Sequence, residues 1–119
     1  LRALYNVAIE LGLDVLVESH TESELETALG LDRAIIGVNS RDLQSLKTDL
    51  DTARRLSREI PAERLAVAES GIRCRADIIG LEEAGYNAFL VGEMLMKSAS
   101  PDAKLRELQG LVANNARKY

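Results

Sequence analysis

Four short apolar runs constrain the fold of this chain more than any other feature of its sequence. The runs are rich in Val, Ile, Leu and Ala and cover residues 15–17, 34–38, 65–68 and 88–91. None of them alternates strictly between apolar and polar residues, which is typical of parallel strands that are covered on both faces. They begin roughly 20 to 30 residues apart, which is the length of one strand, one helix and a crossover connection. We therefore expect a parallel sheet built from four βα units.

Helix signals fall between these runs. Thr21 and Glu24 form a predicted capping box, in which each side chain accepts a hydrogen bond from the other residue's free backbone N–H. Ser100 followed by Pro101 is typical of a helix start, with proline at the first helical position. Two further helices are predicted over residues 1–11 and 101–112, and the polar end over 114–119 is expected to fray.

The length of the chain allows one domain, spanning residues 1–119. A (β/α)₈ barrel usually takes about 250 residues, so four βα units in this length match half of such a barrel. The alternative is an open doubly wound sheet, but neither of the two common phosphate-loop motifs, G-x-G-x-x-G or G-x-x-x-x-G-K-[ST], is present. Composition and spacing alone leave both architectures open.

Charge and cysteine content exclude several classes of function. The formal net charge is −4 and no basic block is present, so a nucleic-acid partner is not expected. The single cysteine, Cys74, cannot form an internal disulfide, and no apolar run is long enough to cross a bilayer. A cytoplasmic setting is expected. The chain begins Leu1-Arg2-Ala3 without an initiator methionine, which predicts a fragment of a longer protein.

Polar side chains follow each predicted strand at its carboxyl end, where function gathers in parallel α/β folds. The four strand ends are V-E-S-H at 17–20, I-G-V-N-S-R-D-L at 36–43, A-E-S-G-I at 68–72 and L-V-G-E-M-L-M at 90–96. Taken singly, each polar residue could simply begin a loop. Four such ends in order point to a common site.

In this order and spacing, the four strand ends resemble those of the indole-3-glycerol phosphate synthase family. The resemblance covers nearly the whole chain and implies that its strands are numbers five to eight of a (β/α)₈ barrel. It implies a carboxy-lyase of tryptophan biosynthesis that converts 1-(2-carboxyphenylamino)-1-deoxyribulose 5-phosphate to indole-3-glycerol phosphate, with loss of CO₂ and water.

The resemblance implies three catalytic residues in this chain. Glu18 matches a glutamate that pairs with and orients the catalytic lysine, and Asn39 an asparagine that hydrogen-bonds the substrate. Glu69 matches a glutamate near the substrate nitrogen, where a carboxylate stabilises developing positive charge. A loop-start carboxylate for Glu18 and a structural ion pair for Glu69 are the plainer alternatives.

Six further residues are implied to bind the substrate. Arg41 matches an arginine near the substrate carboxylate, which suits a guanidinium fork. Ser70, Gly71 and Ile72 follow the third strand, and Gly92 and Glu93 follow the fourth; the resemblance implies a hydrogen bond from Ser70 and a phosphate cradle from the Gly71-Ile72 and Gly92-Glu93 turns. Glycines let backbone N–H groups approach a dianion closely. For Glu93 we expect only the backbone to bind, with the side chain pointing away from the anion.

We expect His20 to be structural or solvent-exposed. His20 invites a general-base interpretation because histidine titrates near neutral pH, but no triad partner is evident. With one histidine and one cysteine, the sequence predicts no metal site and no cofactor.

The lysines that the family uses for catalysis lie on the strands that this chain lacks. The resemblance places the general acid at the end of strand three, and a further lysine and a glutamate on strand one. We therefore predict that the chain alone is inactive or nearly so. We expect a partner to cover the open half-barrel, either the missing amino-terminal half or a second copy.

Two other functions remain open at this stage. One is a non-catalytic, phosphate-binding half-barrel that self-associates. The other is a different barrel enzyme that shares the phosphate cradle.

Overall fold

Four parallel strands form one sheet in the computed structural model, which describes residues 1–42, 44–45 and 48–111. The strands are β1 (Leu16–Ser19), β2 (Ile35–Asn39), β3 (Ala66–Glu69) and β4 (Ala88–Leu90). The helices are α1 (Arg2–Glu10), α2 (Glu22–Leu29), α3 (Leu50–Ser57), α4 (Arg75–Ala84), α5 (Glu93–Lys97) and α6 (Pro101–Leu108). The alternation of strand and helix that the apolar runs predicted is confirmed.

The strands lie in the sheet in the order in which they occur in the chain. An open doubly wound sheet reverses its strand order at a switch point, whereas a barrel does not. In register, Glu18 pairs with Gly37, and Asn39 pairs with Glu69. The sequential order agrees with half of a (β/α)₈ barrel and excludes the doubly wound alternative.

One face of the sheet is covered by helices and holds the core. Val17, Ile36, Val38, Ala66 and Ala68 alternate along the strands on this face and are buried, together with apolar side chains of α2, α3 and α4. Burial of this kind contributes about 25 cal/mol per Å² of apolar surface. It fixes which side chains point to the opposite face.

The opposite face, which would be the interior of a closed barrel, is open. Leu16, Leu65 and Leu90 lie on it and are 45%, 48% and 56% exposed. Leu4 and Val7 on α1, and Leu11 at its C-cap, are also exposed. With β1 and β4 as its two edges, the sheet has the uncovered surface expected of half a barrel.

The predicted capping box is half confirmed. Thr21 Oγ1 accepts a hydrogen bond from the backbone N–H of Glu24 at 3.2 Å. Glu24 Oε1 accepts its bond from the N–H of His20 at 2.7 Å, one residue before the predicted donor. The box therefore reaches back to the first residue after β1.

The last two helices differ from the sequence prediction. Pro101 begins α6 as predicted, but the Ser100 side chain donates to Asp102 Oδ1 instead of capping the helix. Residue 112 and the predicted frayed segment lie outside the described residues. The helix α5 was not predicted, because one turn of helix over five residues is too short for apolar periodicity to show.

Candidate active site

A cavity of about 670 Å³ lies at the carboxyl ends of β2, β3 and β4. Seven of the nine residues proposed from the sequence line it: Arg41, Glu69, Ser70, Gly71, Ile72, Gly92 and Glu93. Thr48, Arg73, Leu90, Val91, Met94 and Lys97 complete the lining. Segments that are 50 residues apart in the sequence thus meet at one edge of the sheet, as parallel βα units require.

Glu69 is the buried acid of this cavity. Glu69 is the last residue of β3 and is only 5% exposed. Its Oε2 atom has no hydrogen-bond partner in the described part of the chain. Burial raises the pKa of Glu69 to about 7, and the neighbouring carboxyl of Glu18 adds to this shift. At neutral pH the carboxyl is therefore poised between its neutral and ionised forms.

Gly37 makes room for that carboxyl. It lies in β2 on the inner face, and a Cβ atom at this position would overlap Glu69 Oε2. A side chain here would also come within 3.0 Å of Leu16 Cδ1. The sequence analysis did not single out Gly37, since only the register of two strands shows what its missing side chain leaves open.

Glu18 lies beside the cavity without lining it. The side chain is about half exposed on the inner face of β1. His20 approaches it, with Nε2 3.6 Å from Glu18 Oε2, while His20 Nδ1 lies 3.3 Å from Glu24 Oε1. His20 thus lies between two carboxylates and outside the cavity lining.

Asn39 also lies outside the lining. Its Oδ1 accepts a hydrogen bond from the backbone N–H of Arg41 at 2.9 Å. This bond turns the chain at the end of β2, so Asn39 shapes the loop that carries Arg41 into the cavity.

Arg41 and Lys97 meet at one carboxylate. Arg41 Nη2 donates to Glu93 Oε2, and Lys97 Nζ donates to Glu93 Oε1 at 2.6 Å. Both cations hold the pKa of the Glu93 carboxyl below its ordinary value, Lys97 more than Arg41. Glu93 thus lines the cavity with its carboxylate paired to both cations. That its side chain points away from a bound anion stays a prediction.

The turn after β3 has an unusual backbone. Ser70 and Gly71 have φ values of 66° and 78°, in the left-handed region that side chains other than glycine rarely occupy. A Cβ atom at Gly71 would lie 3.2 Å from Thr48 Cβ and 3.1 Å from Leu50 Cδ2. Thr48 in turn forms an isolated antiparallel bridge with Arg41. The loop after β2 therefore packs against the turn after β3.

The turn after β4 is open by comparison. Gly92 precedes α5, and a Cβ atom placed on it would meet no atom within 4 Å. Its carbonyl accepts a hydrogen bond from the N–H of Met96 at 3.0 Å. Space next to this turn is thus available to a ligand.

Three polar lining residues were missed by the sequence analysis, namely Thr48, Arg73 and Lys97. Lys97 follows Glu93 at helical i, i+4 spacing, which was the available signal. Thr48 and Arg73 carry no such signal because loop folding brings them to the cavity.

No group of His, Cys, Asp or Glu side chains within residues 1–42, 44–45 and 48–111 could hold a metal ion. Of the helices in these ranges, none is long and apolar enough to cross a membrane.

The family model and the curated relatives that match this chain belong to one family. A family model for indole-3-glycerol phosphate synthase matches residues 1–108. The chain is 48% identical over 110 residues to the indole-3-glycerol phosphate synthase of Koribacter versatilis strain Ellin345, covering 92% of this chain and 42% of that protein. It is 51% identical over 108 residues to that of Dehalococcoides mccartyi strain CBDB1, covering 91% of this chain and 42% of the relative.

A solved structure shares the fold. The crystal structure of the Amycolatopsis orientalis BexX/CysO complex contains a chain that matches with a TM-score of 0.70 at 19% identity, over 99% of this chain and 48% of that one. In both kinds of comparison the chain spans less than half of the protein that it matches.

Proposed function

The chain belongs to the indole-3-glycerol phosphate synthase family, and from this premise we propose that it supplies the carboxyl-terminal half of the barrel of such a synthase. The proposed enzyme is a lyase of tryptophan biosynthesis. It converts 1-(2-carboxyphenylamino)-1-deoxyribulose 5-phosphate to indole-3-glycerol phosphate with loss of CO₂ and water. The observation that carries the proposal is the meeting of seven of the nine implied site residues in one cavity.

Glu69 is the proposed electrostatic catalyst. A carboxylate beside the substrate nitrogen stabilises the positive charge that develops as the ring closes. Glu69 is almost fully buried, so water screens this interaction weakly. Its pKa of about 7 also allows the carboxyl to give or take a proton at neutral pH.

Glu18 and Asn39 are proposed to act next to this carboxyl. The resemblance implies that Glu18 pairs with and orients the catalytic lysine. The missing half of the barrel would contribute that lysine. An ammonium group placed between Glu18 and Glu69 would offset the repulsion between the two carboxyls. Asn39, which ends β2, is proposed to hydrogen-bond the substrate as well as turn the loop toward Arg41.

The turns after β3 and β4 are the proposed phosphate cradle. Gly71, Ile72 and Gly92 line the cavity, and backbone N–H groups at such turns suit a dianion. The Ser70 side chain would add a hydrogen bond. Arg41 would then face the substrate carboxylate with a guanidinium fork.

We propose the amino-terminal half of the barrel as the partner that covers the open face. The curated relatives are more than twice as long as the part that they share with this chain, so half of their barrel has no counterpart here. Leu16, Leu65 and Leu90 are exposed on the sheet face that such a half would close. Contact between these apolar side chains and strands one to four would bury both surfaces. A second copy of this chain is the competing occupant.

A chimera tests the function directly. The segment of the Koribacter versatilis synthase that precedes its matched region would be fused to this chain and expressed in bacteria that lack their own synthase. We expect growth without tryptophan. Glu69→Gln should abolish that growth, and Glu63→Gln, at the opposite end of β3, should preserve it. A soluble, folded chimera that does not support growth would contradict the proposal.

A further inference from the structure

Glu93 pairs with two of the cations that line the cavity. Its two carboxylate oxygens accept hydrogen bonds from Arg41 and Lys97, one oxygen for each. All three side chains line the cavity. The cavity therefore contains its own carboxylate, already bound to groups that would otherwise attract an anionic ligand.

The Arg41–Glu93 ion pair crosses the cavity. Arg41 follows β2 and Glu93 follows β4, and β3 lies between these two strands in the sheet. The ion pair thus spans the carboxyl end of β3, where Ser70 and Gly71 form the turn that lines the same cavity. An anion that enters toward this turn comes close to the Glu93 carboxylate.

We propose that Glu93 is a specificity-determining residue whose carboxylate holds Arg41 and Lys97 until an anionic group of the ligand displaces it. The inference rests on the proposed function, because it takes the turns after β3 and β4 as the binding site of a dianion. The lowered pKa of Glu93 agrees with it, since the carboxylate stays ionised and paired at neutral pH.

Displacement discriminates between small anions and the substrate. A free inorganic dianion gains Arg41 and Lys97 only by releasing Glu93, so its net gain is small. A substrate that also contacts Glu69 and both turns has further interactions that compensate for this release. Glu93 thus lowers the affinity of the cavity for inorganic anions more than for substrate.

Sulfate binding to the 119-residue chain tests the inference. Sulfate is a tetrahedral dianion whose charge stays constant from acidic to neutral pH. Its dissociation constant would be measured from amide shifts in NMR spectra of the parent chain, Glu93→Gln and Glu63→Gln, with chloride keeping the ionic strength constant. Glu63 precedes β3 at the other end of the sheet. The Glu63→Gln variant therefore loses one negative charge, as Glu93→Gln does, but at a position far from the cavity.

We expect Glu93→Gln to bind sulfate about fivefold more tightly than the parent, the scale of one exposed ion pair. Glu63→Gln should match the parent. Equal binding by the parent and Glu93→Gln would overturn the inference and leave the phosphate cradle standing. Weaker binding by Glu93→Gln would overturn it as well, because Glu93 would then position the cations instead of competing for them. Sulfate binding to neither protein would overturn both the inference and the cradle.

A second measurement needs no variant. The pKa of Glu93 in the parent chain would be followed by NMR of its carboxyl carbon, with saturating sulfate and with chloride at the same ionic strength. We expect the pKa to rise toward its ordinary value in sulfate, since the carboxylate loses its cations. An unchanged pKa in sulfate that is bound at the turns would overturn the displacement.

Discussion

Gly37 and Glu69 lie on the same face of adjacent strands, and the missing side chain of Gly37 leaves the space that the Glu69 carboxyl occupies. A Cβ atom on Gly37 would overlap Glu69 Oε2. Gly37 belongs to β2, so its role is to give space and not to allow a turn. The burial that raises the pKa of Glu69 depends on this pairing.

Replacing Gly37 should therefore destabilise the chain. We expect Gly37→Ala to lower the free energy of unfolding by about 1 kcal/mol, the low end of overpacking, because the Glu69 carboxyl and the Leu16 methyl are ends of side chains that can shift. Urea unfolding would be followed by circular dichroism at pH 5, where the folded chain keeps Glu69 protonated. As a control, Gly80→Ala on α4 puts a Cβ atom 3.5 Å from Arg54 Nη2, an ordinary contact, and should raise stability by up to about 1 kcal/mol. A Gly37→Ala chain as stable as the parent would refute the role assigned to Gly37.

Glu69 should make stability depend on pH. Its pKa rises from 4.5 in the unfolded chain to about 7 in the folded chain. Below pH 4.5 the carboxyl is protonated in both states. Between these values the unfolded chain loses the proton while the folded chain keeps it, so stability falls as the pH rises. Above pH 7 the carboxyl is ionised in both states, and stability no longer falls for this reason.

Glu69→Gln should remove this slope. The free energy of unfolding of the variant, minus that of the parent, is expected to grow from pH 4.5 to pH 7 and then level off. Urea titrations at several pH values measure it. Parallel profiles for the two proteins would show that the folded environment does not raise the pKa of Glu69.

The sequence predicted the alternation of strands and helices and the edge of the sheet at which the site lies, because apolar runs and polar strand ends are local patterns. Only the family resemblance favoured the sequential strand order of a half-barrel. Glu69 and Arg41 lie at such strand ends, and the family resemblance implied their roles. The burial of Glu69 against Gly37 was not, since it depends on the register between β2 and β3. The pairing of Glu93 with Arg41 was missed for the same reason: the two residues are 52 positions apart and meet only through the arrangement of the sheet.

The open face should bind the other half of the barrel. We expect Leu65→Glu to abolish association with the amino-terminal half of the Koribacter versatilis synthase, because it places a charge in the contact. Leu65 is 48% exposed, so the chain itself should stay folded. Ile79→Glu, on the outer surface of α4, should associate like the parent. Gel filtration of the mixtures measures this, and association of Leu65→Glu equal to the parent would exclude the face as the interface.

Arg64, which lies just before β3, hydrogen-bonds the end of α2 and the loop that follows it. Its guanidinium donates hydrogen bonds to the carbonyl oxygens of Leu29, Leu31 and Ala34, at 3.0, 2.8 and 3.1 Å. We expect Arg64→Ala to lower the free energy of unfolding by about 2 to 3 kcal/mol, because partly buried carbonyls lose a charged donor. Arg58→Ala, at an exposed position, should change it by less than about 0.5 kcal/mol. Thermal unfolding of both variants checks this. Equal losses of stability in the two variants would show that the hydrogen bonds of Arg64 do not stabilise the fold.

Turnover by the two halves of the barrel, purified separately and then mixed, tests the central claim most directly. Formation of indole-3-glycerol phosphate would be followed by its fluorescence, with this chain alone, with the amino-terminal half of the Koribacter versatilis synthase alone, and with both together. We predict no turnover by either half and clear turnover by the mixture, which Glu69→Gln in this chain eliminates. A stable complex of the two folded halves that forms no product, or turnover that survives Glu69→Gln undiminished, would contradict the account.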